Sequence, residues 1–405
     1  MIAPLLLACV PVEEGLEDLD PTSIALPDPA DLPEVVEPPD VLQMWSEDLA
    51  IEDEQGWWRR RAPELQLLFS HYVYGRPGLQ GEPFALPAVA VVAEEPPIPV
   101  HDGRVLLRRL HAEADGLPFE IDLFLPPGEA GPFPVVVGLN KCGLHSLIPE
   151  ATVPLPTAFV QSDCEGGATD AGRGTRASYW DLVACAEAGV AVATVHQSEF
   201  APDDPDLPAP IDVLAGSSDD LAARWGAIGW WATGLRLTAA ALRERSDLDP
   251  QRMVVFGHSR RGKAALWAGA NDADIPIVWA HQSGTGGATL SRSMGGEPVA
   301  TVNFLFPHWF ADHFAAFGDR ETHLPMDQHG LLALIAPRPL WISDGTDDLW
   351  ADPDGAEESI VAATPVFDLL GATPPTHHLR PGGHEVRSED WAWILGQLAT
   401  SGSER

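Results

Sequence analysis

The stretch VVFGHSRRGKAALWAGA, residues 254–270, places a serine at the junction between two predicted elements. An apolar, β-branched run ends in Gly257-His258-Ser259, and a strong helix pattern begins immediately afterwards. Such a strand–turn–helix junction can make Ser259 a nucleophile, because the following helix directs its first amides towards developing negative charge. A serine that only caps the helix would give the same pattern. The match to G-x-S-x-G is incomplete, since Arg261 replaces the second glycine and Gly262 follows one place later.

A carboxylate and a histidine follow in positions that would suit a serine nucleophile. Asp348 lies in DGTDDLWADP, directly after the strand-like run RPLWIS, and His384 lies in a glycine turn after the short run THHLR. In this arrangement the histidine acts as general base for Ser259 and the carboxylate orients it. Alternatively, Asp348 belongs to an acidic turn at the surface and His384 is a surface histidine, and neither has a catalytic role. Other residues nearby compete for the same two roles: Asp344, Asp347, Asp352, His377 and His378.

The sequence gives no sign of a metal site or a cofactor. It lacks H-E-x-x-H, and its histidines show no ligand spacing, so we expect neither a metal ion nor a cofactor. The four cysteines are too few and too irregular for a disulfide framework. At most one bridge follows, and whether Cys142 and Cys164 form it stays open. Cys185 lies in a helix pattern, where a buried thiol is expected.

The elements that would position these residues alternate between strand and helix. The runs FPVVVGLN, GVAVATVH, RMVVFGHS, IPIVWAHQSG and RPLWISDG are short, branched and apolar, as buried parallel strands are. Helix patterns lie between them, and RVLLRRLHAEADGLPFEIDLFLP indicates a hairpin. This alternation predicts an α/β fold, a doubly wound, mostly parallel sheet between helices in a three-layer sandwich. With the order Ser, Asp, His it indicates the α/β-hydrolase fold, in one catalytic domain over residues 45–400.

Charge excludes some partners. The chain has 60 acidic against 24 basic residues and a formal net charge of −36, which would repel nucleic acid and anionic membrane surfaces. Only Lys141 and Lys263 are lysines, so both positions are of interest.

The N-terminal segment predicts export. Leu6-Leu7-Ala8-Cys9 resembles a bacterial lipoprotein cleavage box, although the basic start and longer apolar core of a signal peptide are missing. We therefore expect residues 1–9 to be a lipoprotein signal segment with Cys9 as the lipidated residue. Residues 10–44, rich in proline and acids, are expected to form a disordered tether. The protein would be exported, as a cell-surface or periplasmic lipoprotein or in secreted form.

Several separated blocks together resemble the bacterial glucuronoyl esterases of carbohydrate esterase family 15. These blocks are GHSRRGKAALWAGA, QSGTGGATLSR, FPHWF, LPMDQHGLLALIAPRPLWI and DLWADP. They occur in order over most of the domain. The resemblance implies an α/β-hydrolase that cleaves the ester between 4-O-methyl-D-glucuronic acid of xylan and a lignin alcohol.

The resemblance also implies site residues. The family signature Ser-Arg-x-Gly-Lys explains the displaced glycine. It implies that Arg260 helps backbone amides to hold the oxyanion. It further implies that Lys263, Glu297 and Trp350 contact the sugar. One position departs from the family pattern: many members carry a catalytic glutamate where this chain has Gln282. A neutral amide cannot stabilise an imidazolium as a carboxylate does, so the acid must come from Asp348.

Two other functions remain possible from the sequence. One is a different carbohydrate esterase on the same scaffold, such as an acetylxylan esterase, since fold alone does not define the substrate. The other is a surface lipoprotein that binds polysaccharide and has lost catalysis, for which Gln282 is the only indication. Whichever of these functions applies, including that of a glucuronoyl esterase, we expect the protein to be a monomer.

Overall fold

Ten strands form one mixed sheet in the computed structural model, which describes residues 17–76, 85–128, 130–215, 221–293 and 295–401. The order across the sheet is β1-β3-β4-β6-β5-β7-β8-β9-β10, with β2 paired to β3 at the β1 side. Strands β5 to β10 pair in parallel with one another, whereas β1 to β4 pair antiparallel, as does β4 with β6. The strands are β1 (Val89–Glu94), β2 (Ile98–Val100), β3 (Val105–Ala114), β4 (Leu117–Leu125), β5 (Phe133–Asn140), β6 (Ala191–His196), β7 (Leu248–His258), β8 (Ile277–His281), β9 (Leu340–Gly345) and β10 (Thr376–Arg380).

Helices cover both faces of the sheet. They are α1 (Glu54–Gly56), α2 (Ala62–Phe69), α3 (Ala177–Trp180), α4 (Leu182–Glu187), α5 (Ala227–Arg243), α6 (Arg260–Asn271), α7 (Val299–Leu305), α8 (Asp312–Ala315), α9 (Gln328–Ala333), α10 (Pro353–Leu369) and α11 (Ser388–Ser401). Two π-helical turns, Trp57–Arg61 and Ser70–Tyr74, flank α2. None of the described helices is long and apolar enough to cross a membrane.

The core is divided between the two faces because strand side chains alternate. Val135 and Val137 of β5 point to the larger cluster with α5, α6, α9 and α10, whereas Val136 points to a smaller cluster with α4 and α11. Trp279 of β8 is fully buried in the smaller cluster. This two-sided burial explains the continuous apolar runs in the sequence. It confirms the predicted three-layer sandwich, the five buried strands and the β3–β4 hairpin.

The prediction of a disordered tether is wrong for residues 17–44. This segment lies against the domain, and Ile24, Leu32 and Val41 are buried. Backbone polar groups are also satisfied by the domain: the amide of Val35 donates to the carbonyl of Thr322 at 2.7 Å. Scattered apolar residues among the prolines provide enough contact area, although they show no periodicity that a sequence pattern could detect. Residues 10–16 and the predicted lipidation residue Cys9 lie outside the described residues.

Candidate active site

Ser259 lies on a strained turn between β7 and α6. Its backbone has φ 58° and ψ −130°, a conformation that a residue other than glycine adopts only where the surrounding structure holds it. Gly257 makes the turn possible, because a Cβ atom there would lie 1.9 Å from the carbonyl oxygen of Arg261. The amide of Ser259 donates to the carbonyl of His281 at 2.9 Å, which fixes the turn to the end of β8. The strand–turn–helix junction predicted from the sequence is therefore present, whereas the role of Ser259 as nucleophile stays a prediction.

His384 and Asp348 form a hydrogen-bonded pair beside this turn. Nδ1 of His384 lies 2.7 Å from Oδ2 of Asp348. The Asp348 side chain is 1% exposed, whereas that of His384 is 34% exposed. The other carboxylate oxygen accepts from the amide of Ala351 at 3.2 Å, in the turn before α10. A buried carboxylate on Nδ1 orients the imidazole and leaves Nε2 for proton transfer.

Ser259 and His384 both line two adjacent cavities. We call the first the Lys263 cavity, of about 170 Å³, and the second the Lys141 cavity, of about 210 Å³. Within the described chain no hydrogen bond joins the two side chains. Such bonds often form only when substrate closes the site, so this geometry remains compatible with proton transfer from Ser259 to His384.

Arg260 is fixed by a buried carboxylate and two aromatic rings. Its Nη1 donates to Oδ2 of Asp203 at 2.6 Å, and its guanidinium carbon lies 4.2 Å and 4.9 Å from the ring centroids of Trp309 and Phe306. Oδ1 of Asp203 accepts from His308 Nε2 at 2.9 Å and from Trp309 Nε1 at 2.7 Å. Burial alone would raise the pKa of Asp203, but these hydrogen bonds and the Arg260 charge hold it well below its usual range. Asp203 is therefore ionised and can fix Arg260 beside Ser259.

The Lys263 cavity contains a buried ion pair and an exposed tryptophan. Lys263 and Glu297 are each 3% exposed, with 3.6 Å between Nζ and Oε2, and Lys263 also donates to the carbonyl of Thr285. Burial lowers the pKa of Lys263, although the Glu297 charge opposes this. Oε1 of Glu297 is buried without a hydrogen-bond partner among the described residues. Trp350 is half exposed at the edge, and its carbonyl accepts from the Glu297 amide at 3.0 Å. An unsatisfied carboxylate beside an aromatic ring suits a ligand with hydroxyl groups.

The Lys141 cavity is lined by charged groups and by one cysteine of a disulfide. Cys142 and Cys164 form a disulfide, a pairing that the sequence had left open. Lys141 forms an ion pair with Asp163 at the same wall. Cys185 is a free, buried thiol in α4, as predicted, and takes no part in the site.

Relatives of known family resemble almost the whole chain. The curated protein named carbohydrate esterase MZ0003, from an unknown prokaryotic organism, is 32% identical over 368 residues, which is 83% of each chain. A solved structure described as a promiscuous CE15 esterase from the marine bacterial metagenome superposes with a TM-score of 0.79. It shows 30% identity over 92% of this chain and 98% of the other. The chain belongs to carbohydrate esterase family 15.

Further relatives of this family-15 esterase carry more specific names. The glucuronoyl esterase from Solibacter usitatus superposes with a TM-score of 0.78, at 30% identity over 91% of this chain and 99% of that chain. A sequence profile described as glucuronyl esterase, fungi, matches residues 219–371. The 4-O-methyl-glucuronoyl methylesterase 1 of Phanerochaete chrysosporium is 35% identical over 163 residues, 38% of this chain and 34% of that protein.

The predicted site residues of the esterase come together in one place. Six of them line the Lys263 cavity. The seventh, Asp348, does not line it but forms a hydrogen bond with His384, which does. The six are Ser259, Arg260, Lys263, Glu297, Trp350 and His384. Their catalytic and binding roles stay predictions. No group of three or more His, Cys, Asp or Glu side chains in the described ranges could hold a metal ion.

The competing acids and histidines have other partners. His377 binds Asp344 at 3.0 Å and Glu357 at 2.7 Å, and His378 stacks on Trp393 with centroids 4.5 Å apart. Asp352 accepts from the Gly355 amide at the start of α10, and Asp347 is exposed. These contacts favour Asp348 and His384 for the site of the esterase.

Gln282 connects the acid to the histidine loop, a role that the sequence did not suggest. It has φ 47°, and its Nε2 donates to Asp348 Oδ2 at 2.9 Å and to the carbonyl of Gly383 at 2.8 Å. Its Oε1 accepts from the amide of Glu385 at 3.0 Å. The amide thus fixes both sides of the His384 turn relative to Asp348. A carboxylate could not make the two donated bonds while ionised.

His258 packs against the candidate base. Its ring is buried, with its centroid 4.6 Å from that of His384 and 5.2 Å from that of His281. Burial, followed by the charges of these two histidines, lowers the pKa of His258 well below its ordinary value. It is therefore neutral near pH 7 and adds no positive charge beside an imidazolium.

Asp203 is the main site residue that the sequence analysis missed. It lies in EFAPDDPD, beyond the end of β6, and its side chain is 1% exposed. Residues beyond the carboxyl ends of parallel strands are where ligand sites form, and this rule could have marked the segment. It could not have selected Asp203 over Asp204 or Asp206.

Proposed function

We propose that the protein is a glucuronoyl esterase, which hydrolyses the ester between 4-O-methyl-D-glucuronic acid of glucuronoxylan and an alcohol of lignin. The observation that carries the proposal is the 2.7 Å hydrogen bond from His384 to buried Asp348, at the cavity that Ser259 also lines. The names of the glucuronoyl esterases among its relatives support the ester class.

In the proposed acylation step His384 accepts the proton of Ser259 at Nε2 while the serine oxygen attacks the uronate carbonyl carbon. The carbonyl oxygen becomes an anion, and the adjacent guanidinium of Arg260 and the first amides of α6 stabilise it. The amide of Ser259 is unavailable for this, because it donates to the carbonyl of His281. Asp348 stabilises the imidazolium and keeps Nδ1 protonated.

Collapse of this intermediate breaks the bond to the alcohol oxygen, which takes the proton from His384. Water then enters and transfers a proton to His384 as it attacks the acyl-enzyme. Cleavage of the second intermediate releases the uronic acid and restores the Ser259 hydroxyl. No step needs a cofactor.

We place the uronyl sugar in the Lys263 cavity. Two features support this placement: the buried Glu297 oxygen without a partner could accept from a sugar hydroxyl, and the half-exposed Trp350 ring could stack on the sugar face. Lys263, which is paired with Glu297, could donate a further bond.

Hydrolysis of two substrates by matched variants tests the function. Benzyl glucuronate and 4-nitrophenyl acetate are compared for wild type, Ser259→Ala and Asp348→Asn, with the exposed neighbour Asp347→Asn as control. We expect efficient cleavage of the glucuronate alone, a loss in kcat of about 10⁴-fold for Asp348→Asn and of about 10⁶-fold for Ser259→Ala, and little change in the control. Cleavage of acetate alone would indicate another carbohydrate esterase, such as an acetylxylan esterase. Cleavage of neither would indicate a polysaccharide-binding protein.

We also propose that the protein is exported. The bonded Cys142 and Cys164 support this, because disulfides persist mainly in oxidising compartments. The lipid on Cys9 stays a prediction. Incorporation of labelled palmitate in a bacterial host, compared with Cys9→Ser, tests it, and equal labelling of both proteins would contradict it.

A further inference from the structure

The Lys141 cavity is separate from the cavity assigned to the sugar. The two share only Ser259, Arg260 and His384. The Lys141 cavity is also the larger, at about 210 Å³ against 170 Å³. A group that leaves the reacting carbon could therefore occupy it while the sugar stays in the Lys263 cavity.

The walls of the Lys141 cavity are strongly cationic. They carry Lys141, Arg176, Arg260 and Arg261 against one carboxylate, Asp163. The whole chain has a formal net charge of −36. A local excess of positive charge beside the nucleophile therefore opposes the charge of the rest of the molecule.

Two of these four cations have a carboxylate partner. Asp163 forms an ion pair with Lys141, and Asp203, which is outside the cavity, forms an ion pair with Arg260. Both acidic groups are therefore already engaged.

The other two cations bind neutral groups. Arg176 donates to the backbone carbonyl of Asp163 at 3.1 Å. Arg261, which is 7% exposed, donates to the side chain of Gln197 and the hydroxyl of Tyr179, each at 3.3 Å. No carboxylate in the described parts of the chain forms an ion pair with either guanidinium. Against the effect of burial, the charge of Arg176 helps to lower the pKa of Asp163, after the larger effects of Lys141 and Arg260. Neither guanidinium contacts a carboxylate of the described chain, however, and both can therefore bind an anionic ligand.

Holding these cations together has an electrostatic cost. Burial and then the charge of Arg261 lower the pKa of Lys141, against the opposing effect of Asp163. Like charges in a partly buried site repel one another, and an anion bound among them relieves the repulsion. The cavity is thus complementary to a negatively charged group.

We propose that the Lys141 cavity binds the alcohol portion of the ester and selects alcohols that carry a carboxylate. This inference rests on the proposed function, because it takes the sugar to occupy the Lys263 cavity. An anionic alcohol would place its charge near Arg176 and Arg261 while its reacting oxygen lies between Ser259 and His384.

Three glucuronate esters test the proposal, and their alcohols carry a neutral, an anionic or a cationic group at the para position of one benzyl ring. They are the benzyl, the 4-carboxybenzyl and the 4-(trimethylammoniomethyl)benzyl ester. For wild type at near-physiological salt we expect kcat/KM for the carboxylate ester to exceed that for the cationic ester at least about tenfold. If only the negative net charge of the protein acted on the substrate, the cationic ester would be cleaved with the higher kcat/KM.

A variant of the Lys141 cavity tests whether this cavity causes the preference for the anionic ester. Arg176→Gln, at a partly exposed position, should lower the ratio between the anionic and cationic esters at least about threefold. Arg104→Gln removes the same charge from an exposed loop and should keep the wild-type ratio. Melting temperatures check that both variants are folded.

The outcomes separate the two proposals. Equal cleavage of the anionic and cationic esters by wild type would overturn the charge selection and leave the glucuronoyl esterase function standing. A wild-type preference that Arg176→Gln does not change would overturn the assignment to this cavity. Failure to cleave even the benzyl ester would overturn both proposals.

Discussion

Asp203→Asn should impair the esterase through Arg260 although Asp203 is not itself expected to contact the reacting atoms. Oδ1 accepts from His308 Nε2 and Trp309 Nε1, and Oδ2 accepts from Arg260 Nη1. An asparagine has one oxygen and one NH₂ group. In either orientation its NH₂ group meets a donor, either the guanidinium or the indole N–H.

The magnitude follows from these contacts. Removing one partner of a buried, hydrogen-bonded charge pair costs several kcal/mol, and the partial exposure of Arg260 places the expected loss near the lower end, at about 3 kcal/mol. The guanidinium would also lose its fixed position beside Ser259. Loss of one oxyanion donor lowers kcat about 10²–10³-fold, and we expect a decrease of this size with a smaller change in KM.

Initial rates on benzyl glucuronate give kcat and KM for wild type, Asp203→Asn and Asp203→Glu. The adjacent Asp204→Asn removes the same charge without touching Arg260 and should stay within about twofold of wild type. Asp203→Glu keeps the charge and should recover part of the lost kcat. A folded Asp203→Asn protein with kcat within about threefold of wild type would refute the positioning of Arg260 by Asp203.

Three further predictions concern Gln282, the buried Glu199 and the disulfide. Gln282→Leu removes the bonds to Asp348 and the histidine turn and should lower kcat about tenfold on benzyl glucuronate; an unchanged kcat would contradict the role of the amide. Burial raises the pKa of Glu199 from an ordinary 4.5 to about 8, so the folded protein holds a proton that the unfolded chain releases, and stability should fall as pH rises through this window. Urea unfolding at pH 4.5 and at pH 8 should show that the free energy of unfolding declines by up to about 5 kcal/mol, and Glu199→Gln should make this decline shallower; parallel pH profiles of the two proteins would disprove this. Replacing Cys142 and Cys164 together by serine opens a link across 22 residues and should cost about 3 kcal/mol in the free energy of unfolding, and equal urea midpoints would rule this out.

The parallel part of the sheet could be predicted from the sequence because its strands are buried on both faces. Such strands are continuous apolar runs that are easily recognised, and Ser259 follows directly after the end of one of them, β7. The turns after β9 and β10 likewise supplied Asp348 and His384. Strands β1 and β2 were missed because β1 is largely exposed at the edge of the sheet, and β2 is only three residues long.

The partners that fix the site residues could not be predicted in the same way. Asp203 and Arg260 are 57 residues apart, and Gln282 and Asp348 are 66 residues apart. Only the folded chain brings them into contact, and their hydrogen bonds leave no local spacing signal. For Gln282 the sequence showed the missing carboxylate, but not the two hydrogen bonds that its amide donates.

The positions of the two lysines have a practical consequence for anyone who handles this protein. Lys141 and Lys263 are the only side-chain amines of the chain, and each lines one of the two cavities beside Ser259. The pKa of each is lowered by burial, which increases the fraction of free amine that succinimidyl esters and aldehydes attack. Coupling of beads, dyes or sensor chips to a side-chain amine would therefore modify the wall of a cavity beside Ser259, whereas most proteins offer many surface lysines far from the site. Immobilisation through carboxylates, of which the surface has many, would spare it.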